Sequence, residues 1–252
     1  MPNKNCQRQN RELLKLTKLV SWLALGLTVS ACSAPIENVE CCVEEAGGIL
    51  LEARGNEPFW NLTVFETRVE MNRLSEEQLR FAWQQKAVND YQLFASGISG
   101  AAGSATFTNE ICNDSMTGMP YPKTVVVTLG EDTYYGCAGD SRELLTVGEW
   151  QITHIKGNSI AANVDVTINF GADGEAYGNS GCNRFVGHYS HTGENFQLNQ
   201  LASTRMACPS IQMDTESAVL ESLGDVVLFD IQEDGALHLI THSGEYLRAI
   251  LK

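Results

Sequence analysis

From Ile49 onward, apolar residues recur mostly at every second position within short runs, and turn residues separate the runs. The clearest run is Val164-Asp165-Val166-Thr167-Ile168-Asn169-Phe170, whose seven alternating positions predict a half-buried strand. Leu79-Arg80-Phe81-Ala82-Trp83 repeats the form, and residues 62–65, 68–71, 91–94, 105–108, 123–129 and 133–135 read as further strands. Asp173-Gly174 follows the alternating run and is a pair favoured in tight hairpins. Near the C-terminus, residues 226–231, 236–240 and 246–251 are separated by Asp234-Gly235 and Ser243-Gly244, which predicts a three-strand meander. Residues 97–103 are poor in large side chains and predict a loop.

One segment changes period. Ile211, Thr215, Ala218, Val219, Ser222 and Leu223 fall on one helical face, Pro209 suits a first turn, and Gly224 stands where a cap needs positive φ. The expected fold is therefore mainly β (α+β). It comprises two small antiparallel β-rich domains, at 49–142 and 145–252, the second with a single helix on its sheet.

The N-terminus reads as an address rather than as fold. Residues 1–18 are basic and polar, residues 19–29 are apolar, and Ser30-Ala31-Cys32 follows, the layout of a secretory signal peptide over residues 1–31. The apolar run falls short of the roughly 20 residues that cross a bilayer. Val29-Ser30-Ala31-Cys32 resembles the bacterial lipobox. That resemblance implies an acylated Cys32 as first mature residue, and several acyl chains hold a membrane where one alone binds only marginally. Ser33, in place of Asp, implies the outer membrane of a Gram-negative envelope with the protein facing the periplasm. Residues 32–48 then form a lipidated tether, with Pro35, Glu37, Glu40, Glu44 and Glu45.

Composition narrows the partners. With 43% hydrophobic and 19% charged residues, the chain is neither disordered nor a polytopic membrane protein. The formal net charge is −14, and residues 1–31 hold five of the 17 Lys/Arg but one of the 31 Asp/Glu. The remainder is more acidic still, which disfavours nucleic acid and suits a basic protein or another envelope component.

Residues 148–250 resemble the META domain family through Gly148-Glu149-Trp150, Gly178-Asn179-Ser180-Gly181-Cys182-Asn183-Arg184-Phe185, Gly187-His188-Tyr189 and Ser203-Thr204-Arg205-Met206-Ala207-Cys208-Pro209. The family includes a heat-inducible lipoprotein, and the resemblance implies an envelope setting linked to stress, with no catalytic residues established. The first half resembles an uncharacterised domain of envelope lipoproteins through residues 53–60, Cys112-Asn113-Asp114-Ser115-Met116 and Tyr135-Gly136-Cys137-Ala138-Gly139. Its general shape is similar to the membrane-bound inhibitors of C-type lysozyme, which makes binding of a basic lysozyme a special case. Locality within each half, together with these resemblances, pairs Cys112 with Cys137 and Cys182 with Cys208, as an oxidising compartment permits. Cys41 and Cys42 are left open among an internal pair, a bridge to another chain and free thiols.

Candidate binding residues follow. Asn56, Glu57, Phe59 and Trp60 either form a recognition edge or make a turn whose aromatics feed the core. Asn183 and Arg184 lie in a loop bounded by Gly178, Gly181 and Gly187, whose close backbone approach serves either a ligand or the domain's own sheet, while Arg184 and Arg205 either neutralise buried carboxylates or present a small anion site. Cys182, His188, His191 and Cys208 supply zinc-ligand types without zinc spacing, so no metal is expected. No catalytic fingerprint is present: Ser180 lacks a relay, and Asp173-Gly174-Glu175 lacks the other ligands of a calcium loop. The expectation is a non-catalytic, cofactor-free envelope module. The competing reading is an enzyme on cell-wall or small-molecule substrates, with a site between the domains.

Overall fold

The period-two runs become strands in two antiparallel systems in the computed structural model, which describes residues 48–76, 78–85, 91–97 and 102–252. The signal segment, Cys32, Cys41, Cys42, the tether to residue 47 and residues 98–101 lie outside the described residues. No described helix is long and apolar enough to cross a membrane.

The first system is a closed barrel. Strands β1 (Ile49–Asn56), β2 (Phe59–Phe65), β3 (Arg68–Arg73), β4 (Leu79–Gln85), β5 (Tyr91–Gly97) and β6 (Ala102–Thr108) are joined by β9 (Lys123–Leu129) and β10 (Asp132–Ala138). Their order is β1-β10-β9-β6-β5-β4-β3-β2. Closure leaves no bare hydrogen-bonding edge. Alternation puts Leu62, Val64, Val69, Met71, Phe81, Phe107, Val125 and Val127 in one buried cluster. Each such side chain contributes about 1.5–3 kcal/mol when fully buried.

A short excursion, β7 (Cys112–Asn113) paired with β8 (Pro120–Tyr121), leaves the barrel between β6 and β9. After β10, a helical turn (Arg142–Leu145) leads into the second sheet. That sheet comprises β11 (Trp150–Ile155), β12 (Asn158–Ser159), β13 (Val166–Phe170), β14 (Glu175–Ser180), β15 (Arg184–His191), β16 (Phe196–Ser203), β17 (Val226–Ile231), β18 (Leu237–Thr241) and β19 (Tyr246–Leu251). The order is β16-β15-β14-β13-β11-β19-β18-β17, with β12 on β11. Its two ends curl towards each other, since Phe196 and Phe229 meet edge to face at 5.3 Å.

The two lobes share a core. Met119, Tyr121, Cys137 and Leu145 belong to the buried cluster of the second sheet, beside Trp150, Phe229 and Leu247. Asn113 reaches across to Asp230 at 3.1 Å. Residues Gly47–Lys252 accordingly form one compact unit.

The sequence reading departs from the structure at three places. The ends of the predicted 97–103 loop belong to strands, Gly97 to β5 and Ala102-Gly103 to β6, with residues 98–101 outside the described residues; Gly103 lets β9 pack close, since a Cβ there would stand 2.6 Å from Leu129 Cδ2. Gly224 stays within the helix (Ser210–Gly224), which closes through the Asp225 N–H on Ser222 O at right-handed φ −105°. Finally, Ile211 of the predicted face is exposed, and burial concentrates at Val219, Ser222 and Leu223.

Candidate functional site

The Gly55–Trp60 motif divides at a hairpin. Asn56 pairs with Phe59 across the Glu57-Pro58 turn. Alternation then sends Trp60 into the barrel (4% exposed) and Phe59 out to solvent (49% exposed), while Glu57 is exposed in the turn. Asn56 donates to Asp114 Oδ1 at 3.1 Å and to Ser115 Oγ at 3.0 Å. Asp114 also accepts the N–H groups of Met116 and Thr117 and the Thr117 hydroxyl. Burial pushes its carboxyl up, but these donors outweigh it and hold the pKa below its ordinary value.

Asn183 is a structural hub. It is buried, and its Nδ2 donates to Glu216 Oε2 at 2.8 Å and to Met206 O at 3.3 Å. Its Oδ1 accepts from Thr204 Oγ1 and the Met206 N–H, both at 2.8 Å. One side chain thereby ties the glycine-rich segment, the segment around Met206 and the helix. A Cβ at Gly178 would collide with Thr167 O, so the close approach that glycine permits is to the domain's own sheet. Arg184 and Arg205 are both exposed and make no ion pair among the described residues.

Both disulfides are formed, Cys112–Cys137 within the barrel lobe and Cys182–Cys208 within the second sheet's lobe. The second removes both thiolates from the zinc-type set. Ser180 is fully buried and donates to Asn183 O at 2.8 Å.

The most distinctive chemistry lies between the lobes, in a cleft of about 790 Å³. Arg54 comes from the outer face of β1, Tyr121 from β8, Ser141 from the loop after β10, and His191 from the end of β15. Tyr121 is 3% exposed and Ser141 is fully buried. Tyr121 Oη, Ser141 Oγ and His191 Nε2 are all buried atoms without a hydrogen bond in the structure. The Ser141 hydroxyl approaches Tyr121 but falls short of hydrogen-bond geometry. Leaving such a group unpaired costs about 1–3 kcal/mol, so three in one place call for a reason.

Electrostatics sharpen the picture. The Arg54 guanidinium lies 5.3 Å from the Tyr121 ring centroid, and no carboxylate pairs with it among the described residues. A Cβ at Gly193 would stand 2.8 Å from Arg54 Nη1, so glycine makes room for it there. Burial raises the Tyr121 phenol, against the nearby Arg54 charge. Burial lowers the His191 imidazole, although Asp140 pulls the other way. Asp140 is held below its ordinary value: burial raises it, but the Arg142 side chain (Nε to Oδ2, 2.8 Å) and backbone N–H outweigh that. The remaining neighbour, Tyr189, has its hydroxyl committed to Gly171 O at 2.7 Å.

Sequence reasoning weighed only His191 among these residues, and only as a zinc ligand. Four segments spanning 137 positions converge here, and no local spacing reports that convergence.

Residues 143–252 match the META domain family, so the C-terminal lobe carries a META domain. No curated protein matches the chain. An NMR structure of a protein from Burkholderia xenovorans is similar at 23% identity, covering 42% of this chain and 83% of that one, with a TM-score of 0.36.

Proposed function

We propose that this protein is an outer-membrane lipoprotein, anchored through Cys32, that binds a ligand between its lobes and performs no catalytic step. The convergence of unpaired Tyr121, Ser141 and His191 beside Arg54 carries the reading, because it equips a cleft to hold a polar molecule. Two disulfides and a META domain support a setting in the envelope, where stress alters the demand for binding proteins.

Catalysis lacks its usual support. Ser141 Oγ makes no hydrogen bond to a base, so no nucleophile is activated. Asp140 is held as a carboxylate rather than as a proton donor.

Native mass spectrometry of the protein extracted from membranes tests this reading. The expected result is a lipid adduct at Cys32 together with a non-covalent adduct that denaturation releases and Arg54→Gln removes. An unmodified Cys32 thiol would reject the anchor. Identical spectra for wild type and Arg54→Gln would reject the binding role of the cleft.

A further inference from the structure

We propose that the interlobe cleft binds a short peptide by its free C-terminal carboxylate, with Arg54, Tyr121 and Ser141 holding the two oxygens. The inference rests on the binding reading above and gives that site a ligand class.

Three observations select the ligand. First, the unpaired groups share one capability: Arg54 can only donate, and the two hydroxyls can both donate to the same acceptor. A carboxylate matches the planar guanidinium fork with two oxygens and keeps lone pairs for the hydroxyls. A neutral sugar would leave the Arg54 charge uncompensated.

Second, the cleft is not cationic as a whole. Glu52, Asp140, Glu143 and Asp173 line it against Arg54 and Arg142, and Arg142 is already committed to Asp140. A polyanion such as a phosphate ester meets net repulsion there. A zwitterion does not, because its carboxylate faces Arg54 while its amine is welcome among the acidic side chains.

Third, the volume of about 790 Å³ falls in the upper part of the range typical of small-molecule sites and leaves space beyond the carboxylate for a few residues. Tyr121 and Ser141 are nearly or fully buried, so the carboxylate meets their hydroxyls only as the cleft floor opens locally around Arg54, with the amine left outward.

The test uses the full chain, isotope-labelled in detergent micelles, titrated with a mixture of random tripeptides while backbone amide signals are followed. Shifts are expected at Arg54, Tyr121, Ser141 and His191, with C-terminal amidation weakening the effect at least tenfold. N-terminal acetylation should weaken it less. Arg54→Gln should weaken binding at least tenfold, and Tyr121→Phe and Ser141→Ala each severalfold with no fall in Tm. Gly193→Ala should likewise weaken binding, because its methyl group displaces the Arg54 guanidinium and comes within 3.5 Å of Tyr121 Oη.

Silence at millimolar peptide, equal binding of the amidated mixture, or inorganic phosphate shifting these residues where peptides do not would each overturn the proposal. In those cases a non-covalent adduct lost in Arg54→Gln would still uphold the general binding role, so the two failures are distinguishable.

Discussion

Asn183 and the interlobe cleft are both buried and polar, yet they are opposites in hydrogen bonding. Asn183 spends both ends of its amide on four hydrogen bonds to three residues of two other segments. Tyr121, Ser141 and His191 each keep a buried polar atom that nothing in the fold engages. A satisfied polar group belongs to the architecture, because removing it strands its partners. An unsatisfied one weakens the fold in the free state and is retained for something that arrives later. The contrast separates two residue sets that look alike in sequence, and it can be broken by substitution.

The largest effect is expected at the satisfied end. Asn183→Ala strands the Glu216 carboxylate, the Thr204 hydroxyl and the Met206 backbone groups, and should cost about 3 kcal/mol, read as a lower midpoint in urea. Loss of the neighbouring cross-link, by Cys182→Ser with Cys208→Ser, should cost a comparable ~3 kcal/mol through the freed loop of the unfolded chain. If Asn183→Ala left stability unchanged, the hub description would fail and a binding role for that segment would return.

Asp114 should show an intermediate effect. It accepts from Asn56, Met116 and Thr117, so Asp114→Ala should cost about 2 kcal/mol. Its folded pKa lies below the ordinary 3.8, so it binds its proton less readily in the folded state than in the unfolded state. The stabilisation is therefore present above pH 3.8 and is lost as pH falls through the folded value. Acid titration of Asp114→Asn should lack that part of the decline.

How much of this was legible in advance depends on sequence distance. The strand around Ile168 and the C-terminal meander were readable because strand signals are written in consecutive residues, although Thr167 is buried with its apolar neighbours and the strand is not half-exposed as its alternation implied. The same local rule failed at Gly103, where a missing side chain serves a close strand contact instead of a loop. Phe59 and Trp60 could be expected to part company once both sat in one strand, since adjacent positions face opposite sides. The role of Asn183 was not legible, because its partners lie up to 33 positions away. The cleft was hidden for the same reason, and the exposed Arg54 on β1 looks like any polar residue of an outward face.

At the unsatisfied end the effects shrink. His191 is held below its ordinary 6.5 chiefly by burial, with Arg142 and Arg54 adding to that and Asp140 opposing. The folded state therefore favours the neutral ring; its contribution is full above pH 6.5 and is lost as pH falls below 6.5 towards the folded value. A His191→Gln variant should lose less stability between pH 7 and pH 5 than wild type. A carboxylate bound beside the ring should raise its pKa, so saturating peptide should shrink the wild-type loss as well, and an unchanged loss would place the ligand elsewhere.

The smallest effect is the most diagnostic. Tyr121→Phe and Ser141→Ala each delete a hydroxyl that makes no hydrogen bond; the relief of its unpaired cost is offset by the lost packing of its oxygen, so thermal unfolding without ligand should be unchanged or slightly higher, a net change within about 0.5 kcal/mol. A loss of 2 kcal/mol or more in either variant would mean that the hydroxyl already serves the fold, and the cleft would then join Asn183 as architecture.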